Sequence, residues 1–363
     1  MQRCILTVFS ALSLLIAGWG AVPALAADGG YCVVASQATQ DDAQWQPVVK
    51  ALAEKHTASV LTYEKSVDEI LPELKKQYPR YACFVVRPTE ATREFVAQVH
   101  GLTRRLNDDP YTDVIWGILT GYDADNALRI AKLKEPLVIH RAAAGTDIAL
   151  TACDAGICYS EGTAGKIVRK EPGQDAQEEK GPTDSTEALV KSLTDYKAEM
   201  FVTSGHATER DWQIGYAYRN GQFRSHAGQL FGVDLKGNRI PVQSDNPKVY
   251  LAVGNCLMGH IDGPDAMALA FLNSGGVDQM AGYTVLTWYG YAGWGLLDYF
   301  VEQPGRFTLA EAFFANDNAL IHRLETYFPG VNTADVEEAK KKLKGELPAA
   351  AKAVGLTWQD AAG

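Results

Sequence analysis

Short apolar runs alternate with amphipathic stretches over residues 31–133. "YCVVAS", "ASVLTY", "YACFVV" and "DVIWGILTG" have the length and β-branched content of strands. Between them, "DAQWQPVVKALAEKH", "SVDEILPELKKQY" and "TEATREFVAQVHGLTRRL" space their apolar residues three and four apart, and "ADNALRIAKL" follows the fourth run. That spacing predicts helices with one buried face. Strands joined through helices predict a mostly parallel sheet covered on both sides.

After "LVIHRAAAG" the rhythm changes. "IALTACDAGICYSEGTAGKIVRKE" reads as hairpin material, and "EPGQDAQEEKGPTDS" as a polar surface linker. "TDSTEALVKSLTDY" opens on cap-forming residues and continues as a helix. Strands then resume in "AEMFVTSG", a hairpin-like "QIGYAYRNGQFRSH", "KVYLAVGN" and "VDQMAGYT". Helical "DAMALAFLNSG" and "TLAEAFFANDNALIHRLETYF" complete the pattern. No internal repeat is visible. The expected architecture is α/β, a three-layer sandwich with helices on both faces of a mostly parallel sheet. It divides into an N-terminal α/β subdomain (27–150), a hairpin and linker (151–185), a second α/β subdomain (186–330) and a helical tail (331–363).

Residues 1–26 read as a signal peptide. Arg3 gives a thin positive start, "CILTVFSALSLLIAGW" the apolar stretch and Ala24-Leu25-Ala26 the small-residue cleavage site. A membrane anchor is the rival reading, set aside because turn-forming Asp28-Gly29-Gly30 follows at once. No later segment is apolar for long enough to span a bilayer, so the expected product is exported, periplasmic or secreted, without membrane insertion of the mature chain. A net charge of −10 argues against a nucleic-acid partner, which would call for a basic face.

Beyond the leader five cysteines remain: Cys32, Cys83, Cys153, Cys158 and Cys256. Cys153 and Cys158 flank "DAGI", which reads as a turn and makes them disulfide candidates. Cys32 and Cys83 hold similar places in two apolar runs and form a second candidate pair if those runs are neighbouring strands. Cys256 is then left over. The bland alternative is a buried inert thiol.

In open α/β sheets chemistry collects beyond the carboxyl ends of the strands. "EMFVTSG" delivers His206 there, and "KVYLAVGN" delivers Cys256. A thiol, an imidazole to activate it and N–H donors for an oxyanion are the parts of a cysteine nucleophile site. His260, four residues past Cys256, could compete as the base but is expected on a helix surface.

"SGHATERDW" (204–212) and "VYLAVGNCLMGH" (249–260) resemble the histidine and cysteine motifs of the gingipain-type cysteine peptidases, relatives of the caspases. His206, Glu209 and Trp212 fall in register with the first motif, and Gly254, Asn255 and Cys256 with the second. "NSGGVDQMAGYTVLTWYGYAGW" and "DVIWGILTGYDADNALRIAK" extend the similarity over roughly residues 105–330. The resemblance implies a caspase-like fold and peptide hydrolysis through a Cys256 thioester with His206 as acid and base. The oxyanion would meet the N–H groups of Cys256 and Ala207. Ala207 stands where the family usually has glycine, and Ile118 where it often has arginine. No metal or organic cofactor is implied, and the partner is a peptide or protein substrate.

The resemblance also points to cleavage after Arg or Lys. Trp288 and Tyr289, with Trp294, would form an aromatic wall for the basic side chain. Asp113, Asp123 and Asp262 are candidates for the carboxylate at its base. The rival from another class is an inactive peptidase-like binding protein using the same cleft.

Overall fold

The computed structural model describes residues 30–287, 291–331 and 336–362. The expected leader (1–26) lies outside the described residues. Two α/β units follow one another along the chain, each a sheet with helices on both faces.

In the first unit, β1 (Tyr31–Ser36), α1 (Gln37–Asp41), α2 (Gln46–His56), β2 (Ser59–Tyr63), α3 (Leu71–Gln77), β3 (Tyr81–Val85), α4 (Arg93–Thr103), β4 (Ile115–Leu119) and α5 (Ala124–Ala131) appear in order. The sheet order is β2-β1-β3-β4, all parallel. One face packs Val33, Ala35 and Val85 against α2 and α5. The other packs Val34 and Phe84 against α3 and α4.

Glu90 fastens the carboxyl end of this sheet. Its carboxylate accepts from Ser36 Oγ at 2.6 Å, from Arg87 Nη2 at 2.9 Å and from the Thr39 hydroxyl, tying the start of α1 to the loop before α4. Burial raises its pKa, but the donors of Arg87, Ser36 and Thr39 outweigh this and pull it to about 2. The folded value lies below the unfolded one, so the stabilisation is complete above the ordinary carboxylate pKa and disappears as pH falls from about 4.5 to 2. The shift corresponds to at most roughly 3 kcal/mol, reduced by solvent screening of the partly exposed carboxylate. Urea titrations across that range should show Glu90→Gln losing less stability on acidification than wild type; parallel losses would reject this role.

The second unit begins at β5 (Arg141–Ala144), before residue 150. It continues through β6 (Ala155–Tyr159), β7 (Lys166–Lys170), β8 (Gln177–Lys180), α6 (Thr186–Thr194) and β9 (Met200–Thr203). The stretch expected as linker thus contains β8, an exposed edge strand. Then come β10 (Asp211–Gln213), β11 (Gln222–His226), β12 (Gln229–Val233), β13 (Arg239–Val242), β14 (Lys248–Ala252), α7 (Met267–Asn273), β15 (Val277–Ala281), α8 (Tyr291–Phe300) and α9 (Leu309–Tyr327). The main sheet runs β15-β14-β9-β5-β6-β7-β8, parallel up to β6 and antiparallel beyond it. Strands β10 to β13 form a small antiparallel sheet. Every residue of β9 and β14 is buried, as expected for central strands sandwiched on both faces. α6, α7 and the small sheet cover one side, α8 and α9 the other.

The two units are bolted together through α5 and α4. Asn126 Nδ2 donates to Leu272 O at 2.9 Å, Arg129 pairs with buried Asp278, and Arg93 Nε donates to Thr284 O at 2.7 Å.

The expected disulfides are corrected by register. All five described cysteines are free. Val33, not Cys32, lies opposite Cys83. One step along a strand reverses the side-chain direction, so Cys32 and Cys83 point to opposite faces of the sheet. "DAGI" is no turn either, since its last three residues lie in β6. Cys153 precedes β6 and Cys158 lies within it, and both are buried as free thiols.

Candidate active site

β9 and β14 are paired neighbours, with Ala252 opposite Thr203. Both chains leave the sheet at the same edge, one towards His206 and the other towards Cys256. Asn255, fully buried, locks the two exits together. Its Nδ2 donates to Gly205 O at 3.0 Å, while its Oδ1 accepts from Thr203 Oγ1 at 2.6 Å. Gly254 permits the approach, because a Cβ there would stand 2.5 Å from Ser204 Oγ.

The His206 loop is a tight hairpin. Gln213 N donates to His206 O at 2.9 Å and Thr208 N to Asp211 O at 2.8 Å. Ala207 and Trp212, between these bonds, are therefore a non-hydrogen-bonded pair, and the Ala207 N–H is directed away from Trp212. Buried Trp212 anchors the hairpin by donating from Nε1 to Ser204 O at 2.7 Å. His206 is exposed, with the Tyr216 ring centred 5.2 Å from its own.

Cys256 is half-buried. Its Sγ sits 3.3 Å from both the amide nitrogen and the carbonyl oxygen of Thr287. Leu257 follows at φ 59°, in the left-handed region that a branched residue rarely enters. This turn is held by Leu257 N donating to Val285 O at 3.2 Å and Gly259 N to Tyr283 O at 2.8 Å. Residues 283–287 thus run beside the cysteine loop, with Leu286 largely exposed.

Glu161, which the sequence did not single out, stands at the same edge just after β6. Its Oε2 is buried without a hydrogen-bond partner among the described residues and would be 3.7 Å from a Cβ on Gly205, the residue before His206. Burial pushes the pKa of Glu161 up, the hydroxyls of Thr146 and Ser204 pull it down, and nearby Asp147 raises it. Asp147 in turn lines a pocket of about 250 Å³ with Ile148, Trp294, Leu297, Asp298 and Glu302.

The other expected residues are sorted plainly by the structure. Trp288 and Tyr289 lie outside the described residues. Asp113 precedes β4, at its amino end, where it accepts from Tyr78 Oη at 2.7 Å and Asn107 Nδ2 at 2.6 Å. That is roughly 20 Å from the strand's carboxyl end, so Asp113 is not brought to the cysteine loop. Asp123 caps α5, accepting from Asn126 N at 2.9 Å, and Asp262 pairs with Arg210 at 2.8 Å. His260 lies in a loop rather than on a helix, its Nδ1 buried without a partner among the described residues. Among the described residues no cluster of three or more His, Cys, Asp or Glu could hold a metal, and no helix is long and apolar enough to cross a membrane.

No family model matches the chain, and no curated protein matches it. Among solved structures it is similar to the complex of the pro- and mature domains of RgpB from Porphyromonas gingivalis. The TM-score is 0.51 at 9% sequence identity, over 83% of this chain and 75% of that one. The likeness concerns the fold: the chain has a mixed α/β, gingipain-like fold with parallel sheets and helices.

Proposed function

We propose that the protein is an exported cysteine endopeptidase in which Cys256 is the nucleophile and His206 the general acid and base. The observation that carries this reading is the clamp of Asn255, which couples the exits of adjacent parallel strands bearing a thiol and an imidazole. His206 takes the thiol proton as Sγ attacks the scissile carbonyl. The C–N bond then breaks, the same proton passes to the leaving amine, and water hydrolyses the thioester. The N–H groups of Cys256 and Ala207 are the proposed oxyanion donors, each worth roughly 10²–10³ in rate in comparable sites. Glu161 is the carboxylate proposed to steady the imidazolium.

A basic residue before the scissile bond fits the pocket of Asp147, Asp298, Glu302 and Trp294, which offers carboxylates to the charge and an indole to the aliphatic stem. An extended substrate would pair with the backbone of residues 284–287. One observation favours the rival reading of an inactive binding protein. The Thr287 peptide already holds Sγ on both its donor and acceptor sides.

Incubating the purified mature protein with a peptide library and sequencing the products by mass spectrometry separates these readings. The expected result is cleavage after Arg or Lys. Cleavage after acidic or small apolar residues would remove the pocket from the account, and no cleavage would favour the binding protein.

A further inference from the structure

We propose that the polar groove on the far side of His206 is the subsite for the leaving half of the substrate, and that Arg219 selects an acidic residue there. The direction of the bound chain rests on the peptidase reading; the groove and its charge do not. The groove has a volume of about 680 Å³, and its lining includes Gln213, Tyr216, Tyr218 and Arg219 together with the carboxylates of Asp211 and Asp234.

Three observations connect it to the catalytic edge. The Tyr216 ring lies 5.2 Å from the His206 ring and is 61% exposed. Tyr216 N and Ala217 N donate to Glu161 O at 2.8 and 3.0 Å. Tyr218 Oη donates to Ser160 O at 2.8 Å. The groove is thus built on the same β6 exit that carries Glu161.

Chemistry gives the groove its occupant. As the Sγ–C bond forms and the C–N bond breaks, the proton held by His206 passes to the departing nitrogen. The leaving segment therefore lies on the imidazole side, and its continuation passes Tyr216 into the groove. The charges inside are unequally free. Asp234 accepts from Lys236 N at 2.9 Å and from Asn238 N and Nδ2 at 2.7 and 2.8 Å, so it holds its own turn. Asp211 accepts from Thr208 Oγ1 at 3.1 Å. Arg219 is exposed and forms no ion pair among the described residues. A guanidinium with a free planar fork matches a carboxylate.

The test uses two decapeptides that share an Arg-containing acyl half and carry either Glu or Lys a few positions beyond the scissile bond. Wild type should cleave the Glu peptide with a kcat/KM about tenfold higher, and Arg219→Glu should reverse the order. The same peptides, labelled with fluorescein, are titrated by anisotropy against Cys256→Ala with and without Arg219→Glu. Cleavage indifferent to this charge in both proteins overturns the groove proposal and leaves the peptidase standing. Arg219-dependent binding without any cleavage by wild type upholds the groove and sinks the peptidase reading. Neither cleavage nor Arg219-dependent binding overturns both.

Discussion

Cys256→Ala is expected to abolish peptide hydrolysis while leaving the fold intact. The loss expected is at least roughly 10⁴-fold, because a site that acts through a covalent intermediate retains only what binding and oxyanion donors supply to attack by water. Cys256 is half-buried at a loop held from the backbone of residues 283–287, and the Sγ contacts with Thr287 lie outside the core, so removing Sγ should leave the fold standing. His206→Ala should be nearly as damaging, and the double variant little worse than either single one, since thiol and imidazole act as a unit. The assay is hydrolysis of any peptide that wild type cleaves, with thermal unfolding as the control for structure. An unchanged rate in Cys256→Ala removes the mechanism, whatever the fold.

Asn255→Ala is expected to damage both stability and activity. The side chain is fully buried and bonds Gly205 O and the Thr203 hydroxyl, which in turn meets Tyr250 Oη at 2.9 Å. Truncation leaves the half-buried Gly205 carbonyl without this donor and opens a cavity between the strand exits. The cost is about 2–4 kcal/mol, enough to lower Tm by several degrees. The residual folded protein should cleave peptides about 10²-fold more slowly, because the two exits lose their mutual register. Wild-type Tm and rate together would show that Asn255 does not set the geometry.

Much of the fold was legible because its strands and helices follow opposed periodicities. The runs at residues 31–36, 81–85 and 248–252 are strands, and the amphipathic stretches between the early runs are helices. What failed depended on single residues. "YC" and "YAC" look alike, yet one added residue moves Cys83 to the opposite face from Cys32. "DAG" resembles a turn, but Ala155 and Gly156 lie within β6, where glycine is needed because a Cβ on residue 156 would meet Leu150 Cδ2 at 2.5 Å.

The candidate site divides in the same way. His206 and Cys256 are legible because strand ends are where such chemistry collects, whereas Asp113 precedes its strand and lies at the opposite end. Glu161 and Asp147 were not visible. They reach the site only through the sheet order β9-β5-β6, and no local pattern encodes that order. His260, expected on a helix surface, lies in a loop because Gly259, Gly263 and Pro264 keep the chain irregular until Met267.

The most direct test of the central claim is covalent. The mature protein is incubated near neutral pH with a peptidyl acyloxymethyl ketone bearing Arg next to the warhead, and the adduct is mapped by mass spectrometry. The account predicts one adduct per chain, on Cys256, forming much more slowly in His206→Ala while Cys32, Cys83, Cys153 and Cys158 stay unmodified. A Cys256 that stays unlabelled, or that reacts equally fast without His206, would contradict it.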